Sequence, residues 1–261
     1  MITDNGVAVR KVGRVAPSPV SEAEWQARVE LAAFYRAVHL FGWSEITSNH
    51  ITLRCPDNPE HFLINPYGIA YDEITASSLV KVDLDGTILS DTDYPVNRAG
   101  FVIHSAVHRV RHDANCVIHT HTVADNAVSA QNHGLLPLNQ TNALLFEAVA
   151  VHEYEGPAFD LAEQERLQRD LGDKPVMILK NHGMLAAGST VGEAFLLTFY
   201  FQRACEMQIA TLSCGGGYEL IPPEIARRTA AAFARFRKAE PCLDWEAVKR
   251  RLDRTDPGYR Q

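Results

Sequence analysis

His119 and His121 end the apolar run ANCVIHTHT (114–122). In a strand, residues i and i+2 project from the same face, about 6–7 Å apart along the chain. From there two imidazoles can converge on one ion, with bonds of about 2.0–2.1 Å. The plainer reading is a hydrogen-bonded pair at a strand edge, and a lone H-x-H pair does not choose between them. His182, in LKNHGMLAAG (179–188), is a third candidate. Asn181 and Gly183 suit a tight or left-handed turn, and Gly183 removes bulk beside the ring. The alternative is a turn histidine facing water. Together, three neutral imidazoles with open positions form a catalytic type of metal site rather than a closed structural one. His39, His61, His112 and His133 read as surface, loop or capping residues.

The elements around these residues follow from periodicity. Residues 1–20 carry Gly, Pro and Ser without a repeat and read as a flexible N-terminal arm. Residues 21–261 read as one α/β domain, because strands and helices alternate along it. A helix is expected over about 22–42, capped by Ser21. SNHITLR (48–54) and HFLIN (61–65) alternate as strands, and Asn65-Pro66-Tyr67-Gly68 forms a tight turn. Residues 79–89 read as a hairpin turning at Asp85-Gly86, and 98–111 as a helix with a broad apolar face. The strand ending at His121 leads into a helix over about 123–131. Residues 144–154 read as extended, and 161–171 as a polar helix. The run 175–188 gives two strands around the NHG turn. The longest helix runs over about 190–213, and two C-terminal helices occupy about 223–238 and 244–254.

With 261 residues the chain can bury a large core without disulfides. Its 25 basic and 32 acidic residues leave a net charge of −7, which offers no footprint for nucleic acid or an anionic membrane. No apolar run approaches the roughly 18 residues of a membrane span, and the first residues lack the apolar centre of a signal peptide. Five scattered cysteines without a CxxC pair fit a reducing cytoplasm.

Several stretches, in this order and spacing, resemble the class II aldolase/adducin superfamily over about residues 22–215. They are SNHITLR (48–54), LINPYGIAYDEIT (63–75), VKVDLDG (80–86), RHDANCVIHTHT (111–122) and ILKNHGMLAAG (178–188). The resemblance implies a three-layer α/β/α sandwich around a mainly antiparallel sheet. It implies a tetramer with active sites between subunits, and a small-molecule substrate. It also implies one divalent ion per chain on His119, His121 and His182, with zinc the first expectation and iron(II) the alternative. The turn at Tyr67 and Gly68 matches a family loop that binds phosphate or carboxylate through backbone N–H groups, and Asn49 matches a helper on the neighbouring strand. Concave N–H groups bind anions on physical grounds as well. An ordinary turn, with Asn49 as a cap, is the simpler alternative.

The departures redirect the chemistry. Sugar-phosphate aldolases of this kind carry a base glutamate four residues before the histidine matching His104; here that position is Gly100. Arg98 and Ala99 replace their phosphate-holding serines. VNRAGFVIHSAVH (96–108) looks closer to adducin heads and their bacterial relatives. Gly100 is expected to open space beside the ion, and His104 lies one turn further along the same helix face. His104 is therefore expected either near the ion or packed on the sheet, with His108 further off. Arg98 could hold a substrate carboxylate or be an ordinary surface arginine. Tyr71, Asp72 and Glu73 are among the few groups available to handle a proton, although their simpler role is to start the helix at Thr75.

The leading expectation is a metal-dependent lyase that acts on a small keto or hydroxy carboxylate through a metal-stabilised enediolate. The alternatives are a non-heme iron oxygenase with a three-histidine site and a non-catalytic adducin-like oligomerisation module.

Overall fold

The computed structural model describes residues 20–156 and 162–261. Except for Val20, the expected N-terminal arm lies outside the described residues.

Helix α1 (Glu22–Leu40) starts where the Ser21 hydroxyl accepts a hydrogen bond from the Glu24 amide at 3.0 Å. Strands β1 (His50–Arg54), β2 (His61–Ile64) and β3 (Val80–Asp83) follow, and then helix α2 (Arg98–Val110). Strand β4 (Cys116–Thr120) leads into α3 (Val123–Ser129) and the short α4 (Gln140–Ala143). Next come β5 (Val149–His152), α5 (Glu163–Leu171), β6 (Val176–Leu179) and β7 (Gly183–Gly188). The chain continues through α6 (Val191–Ser213), α7 (Pro223–Phe236) and α8 (Leu243–Thr255).

The seven strands form one sheet in the order β3-β2-β1-β4-β7-β6-β5. It is a mixed sheet: β5 and β6 run parallel, and the other neighbouring pairs run antiparallel. The parallel pair arises because α5 carries the chain back across the sheet between those two strands, as a parallel crossover requires.

Side-chain alternation assigns each strand residue to a layer. Ile51, Leu53, Cys116, Ile118, Met184 and Ala186 face the layer built from α1, α6 and α8. There Phe34 and Phe195 pack on Trp245, with ring centroids 5.7 and 5.2 Å apart. Val117, Leu185 and Ala187 point the other way, against Ile103, Ala106 and Val107 of α2 and Leu167 of α5. Helices thus cover both faces. His50 and Thr52 alternate with Ile51 and Leu53, and His119 alternates with Ile118. The polar members of β1 and β4 therefore share the face covered by α2.

Two expected elements are shorter than their sequence pattern. The hairpin at 79–89 has no full returning strand, only a bridge from Val82 to Ile88. The Asp83 carboxylate accepts from the Asp85 and Thr87 amides at 2.9 and 2.8 Å, so a side chain helps close the turn beside two backbone hydrogen bonds, Asp83 to Thr87 and Leu89 to Lys81. Within 144–154 only Val149–His152 pairs as a strand, because Leu144, Leu145 and Phe146 turn back on α4 through backbone hydrogen bonds.

Candidate metal centre

His119 lies on β4, His121 in the loop that follows, and His182 in the turn between β6 and β7. Their Nε2 atoms converge: that of His121 is 2.7 Å from that of His119 and 3.0 Å from that of His182. Two imidazole lone pairs at such distances repel unless a proton or a cation lies between them. Three ligands at right angles around one ion, with bonds near 2.05 Å, would stand about 2.9 Å apart. The two separations from His121 are close to that spacing, and the three rings could together hold one divalent ion. Burial holds His119 well below the usual histidine range and pushes His182 down to about 4, so both rings are neutral and their lone pairs are available.

The opposite ring nitrogens set the tautomers. His119 Nδ1 lies 2.8 Å from the Met184 carbonyl and His121 Nδ1 lies 2.6 Å from Glu45 Oε2. Each acceptor fixes the proton on Nδ1 and leaves Nε2 bare, the arrangement typical of metal-bound histidines. Glu45 is itself held, because its amide donates to Asn49 Oδ1 at 2.7 Å. Asn49 is buried and acts here as a cap on the loop that aims Glu45. Below His121, Thr120 and Gln202 both donate to Asp125 Oδ2 at 2.7 Å, and Thr122 donates to Gln202 at 2.6 Å. This network fixes the backbone on both sides of His121.

The NHG turn works as its residue types imply. Asn181 adopts φ +54°, and a β-carbon at Gly183 would lie 2.2 Å from the Thr120 carbonyl. Gly183 therefore allows β4 and β7 to approach closely enough to bring His182 to the other two rings.

Beside the cluster is a cavity of about 440 Å³, lined by Glu45, His50, Gly100 and Tyr154 among others. Gly100 does not leave open space there. A β-carbon on it would lie 2.4 Å from the Cδ2 and Cγ atoms of His50, whose ring already fills that volume. His50 pairs with His119 across β1 and β4, and their rings are nearly parallel with centroids 6.5 Å apart. Burial pushes His50 down to about 3, and among the described residues neither ring nitrogen has a hydrogen-bond partner. Sequence reasoning missed both His50 and Glu45. His50 stands inside the strand motif SNHITLR, where strand alternation places it on the same face as Thr52.

Other expected site residues lie elsewhere. His104 is fully buried behind His50, with ring centroids 6.0 Å apart, and is not a member of the converging cluster. Its Nδ1 meets the Thr52 hydroxyl at 2.8 Å, and His108 Nε2 meets the same oxygen at 2.8 Å. Tyr71 is a core residue packed edge-on against Tyr35 at 4.8 Å, not a cavity residue. The apolar faces of both rings drive that burial. Arg98 opens α2 on an exposed surface and borders a separate depression with Val96 and Phe101. It is not part of the cavity lining to which Gly100 contributes. The Asn65–Gly68 turn supplies no residue to the cavity lining. Pro66 has no N–H, and the Asn65 and Tyr67 amides donate to Tyr35 Oη (3.1 Å) and the Pro95 carbonyl (2.9 Å), so these donors are committed within the chain.

The fold and this centre define an α/β/α protein with an open three-histidine site at the strand ends. The chain belongs to the class II aldolase/adducin family: residues 29–209 match the Class II Aldolase and Adducin N-terminal domain. An aldolase II superfamily protein from Pseudomonas syringae has the same fold, with a TM-score of 0.88 and 45% identity over 93% of this chain and 98% of that one. Alpha-adducin from Rattus norvegicus is 49% identical over 73% of this chain, which spans 26% of the adducin. L-fuculose 1-phosphate aldolase from Glaciozyma antarctica PI12 is similar at a TM-score of 0.79 and 24% identity, covering 95% of this chain and 98% of that one. At that identity the likeness concerns the fold alone. No helix among the described residues is long and apolar enough to cross a membrane.

Proposed function

We propose that this chain is a metal-dependent lyase of the class II aldolase type, acting on a small keto or hydroxy carboxylate. The convergence of three bare Nε2 atoms, with Met184 and Glu45 holding two of the opposite nitrogens, carries this reading. A divalent ion held there, zinc first and iron(II) as the alternative, would polarise a carbonyl and stabilise the negative charge left by C–C cleavage. Among the described residues, the cavity lining contains no lysine or arginine. A phosphate would therefore lack a cationic side chain, whereas a small hydroxy or keto acid needs only the ion and neutral donors. His119, His121 and His182 would hold that ion, and the cavity beside them would seat the substrate against it.

The apolar residues Ile46 and Val123 are 81% and 89% exposed and adjoin Glu45 and the His121 loop. Exposed apolar residues beside a site favour cover by another subunit, in keeping with a homotetramer. The similarity to alpha-adducin supports a second reading, a non-catalytic assembly module. The complete centre argues against it.

The test combines elemental analysis of protein purified without oxygen with deuterium exchange at C3 of hydroxypyruvate, followed by proton NMR. One zinc per chain and metal-dependent exchange support the lyase. Iron with oxygen consumption would replace it with an oxygenase, and absence of both metal and exchange would leave the assembly module.

A further inference from the structure

We infer that Tyr154 is a specificity-determining residue of the metal cavity, its hydroxyl hydrogen-bonding the substrate oxygen that is not on the ion, and that His152 is the positioning residue that holds it there. This rests on the lyase reading above.

Tyr154 follows the end of β5 by two residues. With Gly156 it lines the cavity of about 440 Å³ beside the three histidines, and both residues also line a small void shared with His152, Glu163 and His182. The ring of Tyr154 stands edge-on to that of His182, with centroids 6.4 Å apart and planes at 72°. The residue is 54% exposed, and among the described residues its hydroxyl has no hydrogen-bond partner. A phenol presents an apolar ring with one donor at its tip, so it can flank a small ligand and still hydrogen-bond one of its oxygens. Glu45, in the same lining, is already committed to His121.

A ring this exposed gains little from burial, so packing alone does not fix it. Polar ties fasten the chain on both sides of it. His152 is buried, with Nδ1 2.8 Å from Asp170 Oδ2 and Nε2 3.5 Å from Glu163 Oε1. Glu155 Oε1 accepts from Arg166 Nε at 2.7 Å. Asp170, Glu163 and Arg166 all belong to α5, so one helix holds the residues before and after Tyr154. The His152 carbonyl also accepts from the Lys180 amide at 2.9 Å. The segment is thereby set against the turn that carries His182. A side chain held in place before the ligand arrives loses little freedom on binding, which is where such ties add affinity.

Two chelators separate this contact from the metal centre. Glycolohydroxamate and acetohydroxamate offer the ion the same pair of oxygens, but the first carries an additional hydroxyl. Calorimetric titration of the zinc-loaded proteins, with metal content checked by elemental analysis, reads both affinities. Tyr154→Phe is expected to weaken glycolohydroxamate about fivefold, the usual worth of one neutral hydrogen bond, and to leave acetohydroxamate within about twofold. His152→Gln is expected to weaken glycolohydroxamate by a similar factor, but by less than about twofold once residue 154 is Phe, because both changes remove one contact. A merely structural role for His152 would weaken both chelators in either background. Should His152→Gln fail to fold, Asp170→Asn takes its place under the same criteria. A Tyr154→Phe protein that keeps the parent's preference between the chelators overturns the assignment of Tyr154. A His152→Gln loss of equal size in the two backgrounds overturns the positioning role. A parent that binds no metal overturns the lyase reading and this inference together. A zinc-loaded parent with the expected chelator pattern, but no deuterium exchange at C3 of hydroxypyruvate, overturns the lyase reading and leaves Tyr154 supported as a ligand-binding residue.

Discussion

Gly100 and His50 occupy the same space: a β-carbon on residue 100 would lie 2.4 Å from the His50 ring. The glycine is therefore not an opening beside the ion but the counterpart of a histidine contributed by another element. Alanine in place of a helix-interior glycine normally stabilises by about 1 kcal/mol. Gly100→Ala is expected to do the reverse, costing about 1–3 kcal/mol through overpacking. His50→Ala combined with Gly100→Ala should recover most of that loss, because the clash has been removed. Denaturant unfolding of both single variants and the double one measures the coupling; strictly additive effects would refute the shared space. For the same reason Gly100→Glu alone should not build a working glutamate site.

The metal centre makes a second prediction through its supports. His119→Ala and His121→Ala should each abolish most metal binding. Glu45→Gln should raise the dissociation constant roughly 10-fold, within the range seen when a histidine ligand loses its carboxylate partner. Competition with a chelator followed by elemental analysis reads all three. Full occupancy in both histidine variants would remove the site assignment.

Much of this was legible in the sequence, for physical reasons. The period-two pattern of β4 and the Asn181–Gly183 turn encode local backbone, so three rings at the strand ends could be anticipated. The two-sided burial of β4 and β7 likewise follows from alternating apolar residues. What was hidden depends on pairing between distant segments. His50 reaches the site only because β1 lies antiparallel to β4 in one register, and Glu45 only because Asn49 caps its loop. Arg98 borders a depression other than the cavity beside the histidines, a placement hidden in the sequence because a helix's first turn faces in several directions and local pattern does not say which direction meets the cavity. Tyr71 was misplaced because a phenol near a polar loop looks available until Tyr35 is seen packed on it.

Asp125 gives a pH prediction. Burial raises its carboxyl from 3.8 to about 6, against the opposing hydrogen bonds from Thr120 and Gln202. The folded state therefore holds a proton that the unfolded state releases. Stability from this residue is present below about pH 4 and is lost as pH rises through about 6. A rise from 3.8 to about 6 corresponds to about 3 kcal/mol. Asp125→Asn should remove this component: the stability difference between variant and parent should move in the variant's favour by about 2–3 kcal/mol between pH 4 and pH 7. Urea unfolding across that range tests it, and parallel stability curves for the two proteins would contradict it.

Arg98 should be dispensable for substrate binding within one chain's own cavity. It is exposed at the start of α2 and borders a different depression from the one beside the histidines. Arg98→Ala is expected to leave the affinity of the zinc-loaded protein for glycolohydroxamate within about threefold, since exposed charges screened by water contribute little. Calorimetric titration is the measurement. A loss of tenfold or more would mean that the arginine reaches a bound ligand after all.

Ile46 and Val123 lead to the final expectation. Both are large, apolar and highly exposed, and both adjoin residues that position His121. Ile46 also adopts φ +47°, uncommon for a β-branched side chain and held here by the Asn49-capped loop. A side chain fixed in a costly conformation and presented to water fits a contact with another molecule. A tetramer would have a mass about four times the 29.0 kDa of the chain, and light scattering at micromolar concentration should return it. Ile46→Glu and Val123→Glu should each lower that mass, because an unpaired carboxylate is costly in an apolar interface. His119, His121 and His182 come from one chain, so metal content should survive the loss of assembly. A parent protein that scatters as a monomer would show that these residues serve some contact other than self-association. Loss of metal in a well-folded monomeric variant would instead show that the centre needs the neighbouring subunit to hold its shape.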